Sequence, residues 1–183
     1  MIRAFVALPL PDPLRQPLNL VQFLLPLPRR VPVENLHLTL LFLAERPGPE
    51  IEDLHHELEA LRVPGFDLTL RGVGSFGDPP RSVHAGVPPN PPLDHLRKKV
   101  ETAARRCGLD LPRRRFQPHV TLGRCDPARM TPADRARLQA AMADQATFTA
   151  GPAPVEAFAL YRSWLGREGA HHEELARYPL IAP

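Results

Sequence analysis

The feature that most restricts the fold of this chain is a short motif that occurs twice, each time inside an apolar stretch. The first copy, His37-Leu-Thr39-Leu, lies within "ENLHLTLLFLAE", and the second, His119-Val-Thr121-Leu, lies within "FQPHVTLGRC". The two histidines are 82 positions apart (119 − 37). If the copies occupy corresponding strands of two repeats, the chain folds into two similar halves, and each half delivers one histidine and one threonine.

The order of predicted elements supports this duplication. Alternating apolar stretches such as "IRAFVALPL" and "FDLTLRGVGSF" predict strands, and amphipathic stretches such as "PGPEIEDLHHELEALR" and "LDHLRKKVETAARRCGL" predict helices between them. The offset of 82 also relates three apolar pairs outside the motifs: Phe66 and Phe148, Val73 and Val155, and Phe76 and Phe158. We therefore predict an α+β fold in which residues 1–183 form a single bilobal domain with pseudo-two-fold symmetry, built of two mostly antiparallel sheets flanked by helices around a central cleft. The repeats span roughly 1–80 and 81–183, and exchange of terminal strands between the lobes is left open.

Length and composition exclude several other classes. A chain of 183 residues can bury one sizeable core. No apolar run reaches the roughly 18–20 residues that a membrane span needs. The two cysteines, Cys107 and Cys125, fit neither a disulfide framework nor a zinc site, so we expect free thiols and a cytoplasmic location. We expect a monomer with no membrane association and no obligate protein partner.

Strand alternation predicts which side chains face the cleft. His37 and Thr39 share one face of their strand, and Leu36, Leu38, Leu40 and Phe42 share the other, which we expect in the core. His119 and Thr121 likewise share a face. Ideal alternation points Arg124 away from the cleft, unless Gly123 forms a bulge.

These residue types are suited to chemistry at phosphorus. Threonine donates a hydrogen bond without adding charge, and histidine titrates near neutrality, so one ring can take a proton while the other gives one. That division is what metal-independent displacement at a phosphodiester requires. The alternative is that both histidines have only a structural role. A duplicated core, however, needs the leucines and valines and not the histidine and threonine of each motif. The near-symmetric motifs by themselves do not say which ring is acid and which is base.

The motifs and their surroundings resemble the 2H phosphoesterase superfamily, and within it the RNA 2′,3′-cyclic phosphodiesterases, also called 2′-5′ RNA ligases. The likeness extends from "RAFVALPLP" through "VGSFGDPPRSVHAGV" and "RRRFQPHVTLGR" to the late "FALYRSWLGREGAHHEEL". It implies hydrolysis of RNA 2′,3′-cyclic phosphate ends, or of nucleoside 2′,3′-cyclic phosphates, to 2′-phosphomonoesters without metal or other cofactor. One departure is Arg30, at a place where relatives often carry an aromatic residue.

The resemblance also implies residue roles. His37 is then the proton donor, His119 is the proton acceptor, and Thr39 and Thr121 bind the phosphate. The basic run Arg113 to Arg115 and the adjacent Phe116 lead into the second motif, and Arg124 comes directly after it. We therefore take Arg115, Phe116 and Arg124 as candidate RNA contacts.

Several alternatives stay open at this point. The chain could be an RNA-end binding module without turnover, a metal-dependent hydrolase, or a phosphodiesterase for 2′,5′-oligoadenylate or cyclic ADP-ribose phosphate. Reverse 2′-5′ ligation is a further open activity. The paired histidines His55–His56 and His171–His172 are interpreted as exposed surface residues rather than metal ligands.

Overall fold

The computed structural model describes residues 1–111, 115–166 and 169–182, and it consists of one large sheet with helices packed against it. The strands are β1 (Ile2–Pro9), β2 (Arg29–Arg30), β3 (His37–Arg46), β4 (Phe66–Phe76), β5 (Ser82–Gly86), β6 (His119–Arg124), β7 (Thr149–Val155), β8 (Ala157–Gly166) and β9 (Gly169–Pro179). The α-helices are α1 (Asp12–Leu24), α2 (Gly48–Glu59), α3 (Pro91–Arg106) and α4 (Pro132–Asp144), with a 3₁₀ turn at Val33–Asn35.

The helices form where the sequence supplies both an apolar stripe and a start signal. In α3, Leu93, Leu96 and Val100 are buried at helical spacing, and the Asn90 side chain accepts a hydrogen bond from the Leu93 amide at 3.0 Å. At the start of α4, Thr131 and Asp134 form a reciprocal capping box.

The strand order is approximately symmetric about the middle of the sheet. It runs β7-β4-β5-β6-β3-β1-β8-β9, with β2 added beside β6. We call β6, β5, β4 and β7 the central half of the sheet, and β3, β1, β8 and β9 the terminal half, because the latter combines strands from both ends of the chain. The two halves meet where β3 and β6 pair at Leu38 and Val120.

Strand pairing defines which residues of the two halves are equivalent. On the motif strands the offset of 82 holds, because Phe5 of β1 pairs with Phe42 and Ser82 of β5 pairs with Arg124 (124 − 42 = 82). Outside these strands the predicted offset is wrong. Phe5 also pairs with Tyr161, and Ser82 also pairs with Phe76, so Tyr161 and not Phe158 is the counterpart of Phe76. The loops of the two repeats differ in length, so a constant offset cannot extend through them.

Helices cross between the halves and tie them together. Helix α1 comes after a strand of the terminal half but packs against β6 and β7, and α3 comes after a strand of the central half but packs against β3 and α2. One continuous apolar cluster results, with the fully buried Leu8, Leu14, Leu38, Leu96 and Val120 among its members. The predicted α+β class with mostly antiparallel strands is confirmed, and the two predicted sheets are joined into one sheet. Among the described helices, none combines the length and apolar character needed to cross a bilayer.

Candidate active site

The two motif strands bring all four motif side chains to one cleft. Strands β3 and β6 run antiparallel through the pair Leu38–Val120, whose side chains are buried in the core, so the motif residues flanking this pair lie on the opposite face. His37, Thr39, His119 and Thr121 all line a single cavity of about 1040 Å³. This volume is at the upper end of the range for small-molecule sites, which are roughly 300–1,000 Å³. The convergence expected from the sequence is present in the fold.

Each motif histidine is oriented by the same local hydrogen bond. Nδ1 of His37 lies 2.7 Å from the carbonyl oxygen of Asn35, and Nδ1 of His119 lies 2.8 Å from the carbonyl oxygen of Gln117. A carbonyl oxygen only accepts, so Nδ1 carries the hydrogen in both rings. Nε2 of each ring is therefore left free to accept a proton when the ring is neutral and to donate one when it is charged.

Aromatic rings pack beside both histidines. The ring of Phe5 lies 4.8 Å from that of His37, and the ring of Phe76 lies 4.8 Å from that of His119. A second imidazole meets each of them edge-on at 5.3 Å: His172 beside His37 and His84 beside His119. These contacts restrict the motif rings to one orientation.

Burial shifts the protonation of three of these imidazoles. Desolvation lowers the pKa of His37, opposed by the hydrogen bond to Asn35 and assisted by the charges of His119 and Arg124. The pKa of His84 is lowered to about 4, first by burial and then by the charge of His119. The pKa of His172 is also lowered to about 4, by burial and then by the charge of His37. His84 and His172 are therefore neutral at pH 7.

Two residues reach the cleft through matching bulges. The pairing of β1 with β3 skips Leu40, and the pairing of β5 with β6 skips Leu122, which is the corresponding residue (122 − 40 = 82). Because each bulge inverts the alternation after it, Phe42 and Arg124 both turn into the cleft. The prediction that Phe42 lies in the core is wrong, since its side chain is 49% exposed. Arg124 also turns in because of a bulge, but the bulged residue is Leu122 and not Gly123, which pairs with Val83.

The charge of the cleft wall is one-sided. Among the described residues, the lining contains six arginines and no acidic side chain; the arginines are Arg3, Arg29, Arg30, Arg97, Arg115 and Arg124. Three of them lie over phenylalanine rings, Arg97 at 5.3 Å from the Phe116 ring, Arg3 at 5.6 Å from the Phe42 ring and Arg30 at 6.0 Å from the Phe23 ring. The chain as a whole carries 20 acidic against 23 basic residues, so this separation is local. Such a wall favours a polyanion.

The predicted RNA contacts are distributed along this wall. Arg115, Phe116 and Arg124 line the cavity, and Phe116 also packs on the core. Arg113 and Arg114 lie outside the described residues. Arg30 replaces the aromatic expected from the resemblance and lines the cleft as well.

Sequence reasoning missed His84 and His172. The prediction that His172 is an exposed surface residue is wrong, because it lies in the cleft opposite Ser163, its pairing partner on β8. Strand alternation in the late "GAHHEEL" segment was the available signal, but it does not reveal which other strand lies beside that segment. His84 stacks on Phe76 at 4.1 Å, a contact made by strand pairing and not by neighbours in sequence.

The other histidine pair lies away from the cleft. The ligand atoms of His55, His56 and Glu59 on α2 lie within 4.8 Å of one another. His55 is less exposed than predicted, because its side chain is half-buried and its Nδ1 lies 2.9 Å from the hydroxyl of Tyr178. None of these three residues lines the cavity that holds the motif histidines.

Comparison with known proteins identifies relatives of this chain. Residues 10–166 match the family model of the 2′-5′ RNA ligase superfamily. An RNA 2′,3′-cyclic phosphodiesterase of Aeropyrum pernix is 32% identical over 145 residues, covering 78% of this chain and 80% of the relative. An RNA 2′,3′-cyclic phosphodiesterase of Thermus thermophilus is 37% identical over 163 residues, covering 82% of this chain and 74% of the relative.

Solved structures agree with the sequence relatives. The crystal structure of E. coli LigT complexed with 3′-AMP superposes with a TM-score of 0.78 at 29% identity, covering 98% of both chains. The structure of TT0787 of Thermus thermophilus superposes with a TM-score of 0.72 at 30% identity, covering 97% of both chains. This chain thus shares its fold with a protein whose structure has been solved in complex with 3′-AMP.

Proposed function

The chain belongs to the 2′-5′ RNA ligase superfamily, and on this basis we propose that it hydrolyses RNA 2′,3′-cyclic phosphate ends to 2′-phosphomonoesters. One observation supports this more than any other. Two imidazoles and two hydroxyls from equivalent strands line one cleft whose wall carries arginines and, among the described residues, no carboxylate. The relatives are named for this activity, and the E. coli structure holds a nucleoside monophosphate.

We infer a division of roles between the two histidines. His119 accepts a proton at Nε2 from a water molecule, whose oxygen attacks the phosphorus. The bond from phosphorus to the 3′ oxygen breaks, and His37 gives its Nε2 proton to that oxygen. Thr39 and Thr121 donate hydrogen bonds to the phosphate oxygens that take no part in the displacement. The assignment of acid and base comes from the family resemblance, and the two matching carbonyl contacts at Nδ1 are compatible with it.

The terminal nucleoside has candidate partners around this centre. Phe42 presents a half-exposed ring to the cleft, with the guanidinium of Arg3 on it, and such a ring can stack on a base. Arg124, at the equivalent position of the other repeat, is a candidate phosphate contact. Arg115 and Phe116 are candidate contacts to the RNA backbone or terminal base.

We further propose that the protein works as a cytoplasmic monomer without a metal. Both cysteines are free thiols, in line with a reducing compartment.

The decisive experiment identifies the product. Purified protein is incubated with a nucleoside 2′,3′-cyclic phosphate in the presence of EDTA, and the product is identified by phosphorus NMR. The expected product is the 2′-phosphate. The 3′-phosphate as product would contradict the proposed roles, and loss of turnover in EDTA would indicate a metal-dependent reaction.

Replacing either motif histidine by alanine tests the acid–base pair. His37→Ala and His119→Ala should each lower kcat by at least about 10²-fold, because one positioned acid or base contributes roughly 10²–10⁴. His56→Ala, an exposed histidine on α2, is the matched control and should turn over normally. Near-normal turnover of either motif variant would contradict the pairing.

A further inference from the structure

A small surface of unusual character lies beside the cleft, on α1 and β2. It consists of Phe23, Arg29 and Arg30, and we call it the arginine–phenylalanine ridge. Phe23 is 72% exposed, and the guanidinium carbon of Arg30 lies 6.0 Å from the centre of its ring. Both arginines are exposed, and both line the edge of the cleft. The ridge therefore extends the basic wall of the cleft outward.

The ridge is firmly attached to the second motif strand. Arg29 pairs with Arg124 and Arg30 pairs with Gly123 across β2 and β6. The buried Gln22 side chain of α1 donates to two carbonyl oxygens, that of Val31 at 2.8 Å and that of Leu122 at 2.7 Å. Leu122 is the bulged residue that turns Arg124 into the cleft. One amide thus holds the ridge and the bulge in a fixed relation.

The charges of the ridge lack internal compensation. Within the part of the chain that the structure describes, no carboxylate forms an ion pair with Arg29, Arg30 or Arg124. Neighbouring strands lie only about 4.8 Å apart, so like charges on paired residues repel one another. A bound chain of phosphates would remove this repulsion.

We propose that the ridge binds the RNA chain on the 5′ side of the terminal nucleotide, an inference that rests on the proposed function. A 2′,3′-cyclic phosphate stands at the 3′ end of its strand, so the rest of the strand must leave the cleft over its rim. The ridge offers guanidinium groups to the next phosphates and an exposed aromatic ring to a base. Proteins that bind single-stranded nucleic acids use this combination of groups. The substrates are then oligonucleotide ends, bound more tightly than free cyclic mononucleotides.

The experiment compares two substrates that share one terminal nucleoside. One is the nucleoside 2′,3′-cyclic phosphate, and the other is a short single-stranded oligoribonucleotide ending in the same group. The wild-type protein should show a higher kcat/KM for the oligonucleotide. Phe23→Ala and Arg30→Ala should each lower that value at least about fivefold, the low end for loss of one base-stacking contact. Phe23 does not line the cleft, so Phe23→Ala should change turnover of the mononucleotide less than about twofold. Arg30 lines the cleft, and Arg30→Ala should lower turnover of the oligonucleotide more than turnover of the mononucleotide.

Two control variants test whether the loss of oligonucleotide turnover is specific to the ridge, or follows from removing any exposed arginine or apolar side chain. Arg137→Ala removes an exposed arginine from α4, and Leu20→Ala removes an exposed apolar side chain from α1. Both should behave like wild type on both substrates. Arg30→Ala should also reduce the slope of log affinity against log salt concentration by about 0.7, the contribution of one phosphate contact on a single strand.

The outcomes distinguish this inference from the proposed function. Equal kcat/KM for the two substrates, or an oligonucleotide preference that survives both ridge substitutions, would overturn the inference and leave the enzyme intact. Hydrolysis of neither substrate would overturn the proposed function. Fluorescence anisotropy with a labelled oligoribonucleotide carrying a 2′-phosphate then still tests the ridge. Normal RNA affinity of Phe23→Ala with an altered oligomeric state would show a self-association face and overturn the inference.

Discussion

At the scale of single residues, the two motif histidines share a tautomer but not an environment. Both donate from Nδ1 to a backbone carbonyl oxygen two residues earlier in the chain, at 2.7 Å for His37 and 2.8 Å for His119. Burial lowers the pKa of His37 in the unliganded protein, and the positive charge of Arg124 nearby acts in the same direction. A bound phosphate anion opposes both effects, because it favours the imidazolium form.

The lowered pKa of His37 in the unliganded protein predicts how activity depends on pH. The proposed reaction needs one ring neutral as the base and the other charged as the donor, so the profile is bell-shaped. The kcat/KM profile reports the free protein, in which the lowered pKa of His37 means that this proposed donor loses its proton at a lower pH. The optimum of kcat/KM should therefore lie at lower pH than the optimum of kcat. Coincident optima, or a flat profile from about pH 5 to 9, would argue against His37 as the donor.

The lowered pKa of His84 predicts that the protein loses stability at acidic pH. Its pKa falls from 6.5 to about 4 on folding, so the unfolded chain binds the extra proton first. Its contribution to stability is complete above pH 6.5 and is lost as the pH falls toward 4. Between about pH 7 and 5 the loss is on the order of 1–2 kcal/mol. In urea unfolding at several pH values, His84→Leu should flatten this decline, while a His56→Leu control should leave its slope unchanged.

At the scale of elements, paired bulges decide which side chain each motif strand presents beyond its threonine. Leu40 and Leu122 occupy the same place in the two repeats, and each shifts the strand so that the residue two positions later faces the cleft. One repeat thereby supplies the ring of Phe42, and the other supplies the guanidinium of Arg124. The bulges differentiate two otherwise matching strands into an aromatic side and a cationic side.

Gly123 has no side chain, and this leaves room for β2 beside the second bulge. Adding a side chain here should therefore lower the stability of the fold. A Cβ at this position would lie 2.9 Å from the carbonyl oxygen of Arg29 and 2.9 Å from a methyl carbon of Leu27. Gly123→Ala should therefore push β2 away and cost about 1–3 kcal/mol. At this chain length, about 1 kcal/mol lowers Tm by roughly 2–4 °C in a thermal melt.

Gly48→Ala is the matched control for that melt. Apart from its chain neighbours Pro47 and Pro49, no atom lies within 4 Å of a Cβ at Gly48, the first residue of α2, so Gly48→Ala should lower Tm less than Gly123→Ala. A Gly123→Ala variant as stable as wild type would show that β2 is free to move.

At the scale of the whole molecule, the cleft lies where two halves of one sheet meet at the pair Leu38–Val120. Helices α1 and α3 cross between these halves, and each packs against strands of the half that it does not follow in the chain. The motif side chains of both halves face the same cavity, so an anion bound there contacts both halves at once.

Product binding should therefore stabilise the fold as a unit. A nucleoside 2′-monophosphate at about a hundred times its Kd should add about 2.7 kcal/mol to the free energy of unfolding. Differential scanning calorimetry measures this as a rise in Tm. At the same ligand concentration, the rise should be smaller in Thr39→Ala and Thr121→Ala, and unchanged in Thr102→Ala, whose exposed hydroxyl bonds to a backbone carbonyl in α3. Equal stabilisation of all four proteins would place the anion elsewhere.

The motif strands, the duplication and the faces of His37, Thr39, His119 and Thr121 could be predicted from the amino-acid sequence alone. They depend on local rules, because alternation along a strand and apolar periodicity along a helix are properties of neighbouring residues. The α+β architecture was also predictable, and so were the bounds of helices α2 and α3 within a few residues.

The rest of the site depends on contacts between segments that are distant in the chain. A bulge depends on how the partner strand pairs, so alternation placed Phe42 in the core although it faces the cleft. His172 and His84 reach the motif histidines through strands that lie far away in sequence, and no local pattern encodes such a meeting. The joining of the two halves into one sheet likewise depends on a single long-range pair, Leu38 with Val120. Local sequence sets the face that a side chain takes, whereas long-range pairing sets the groups that this face contacts.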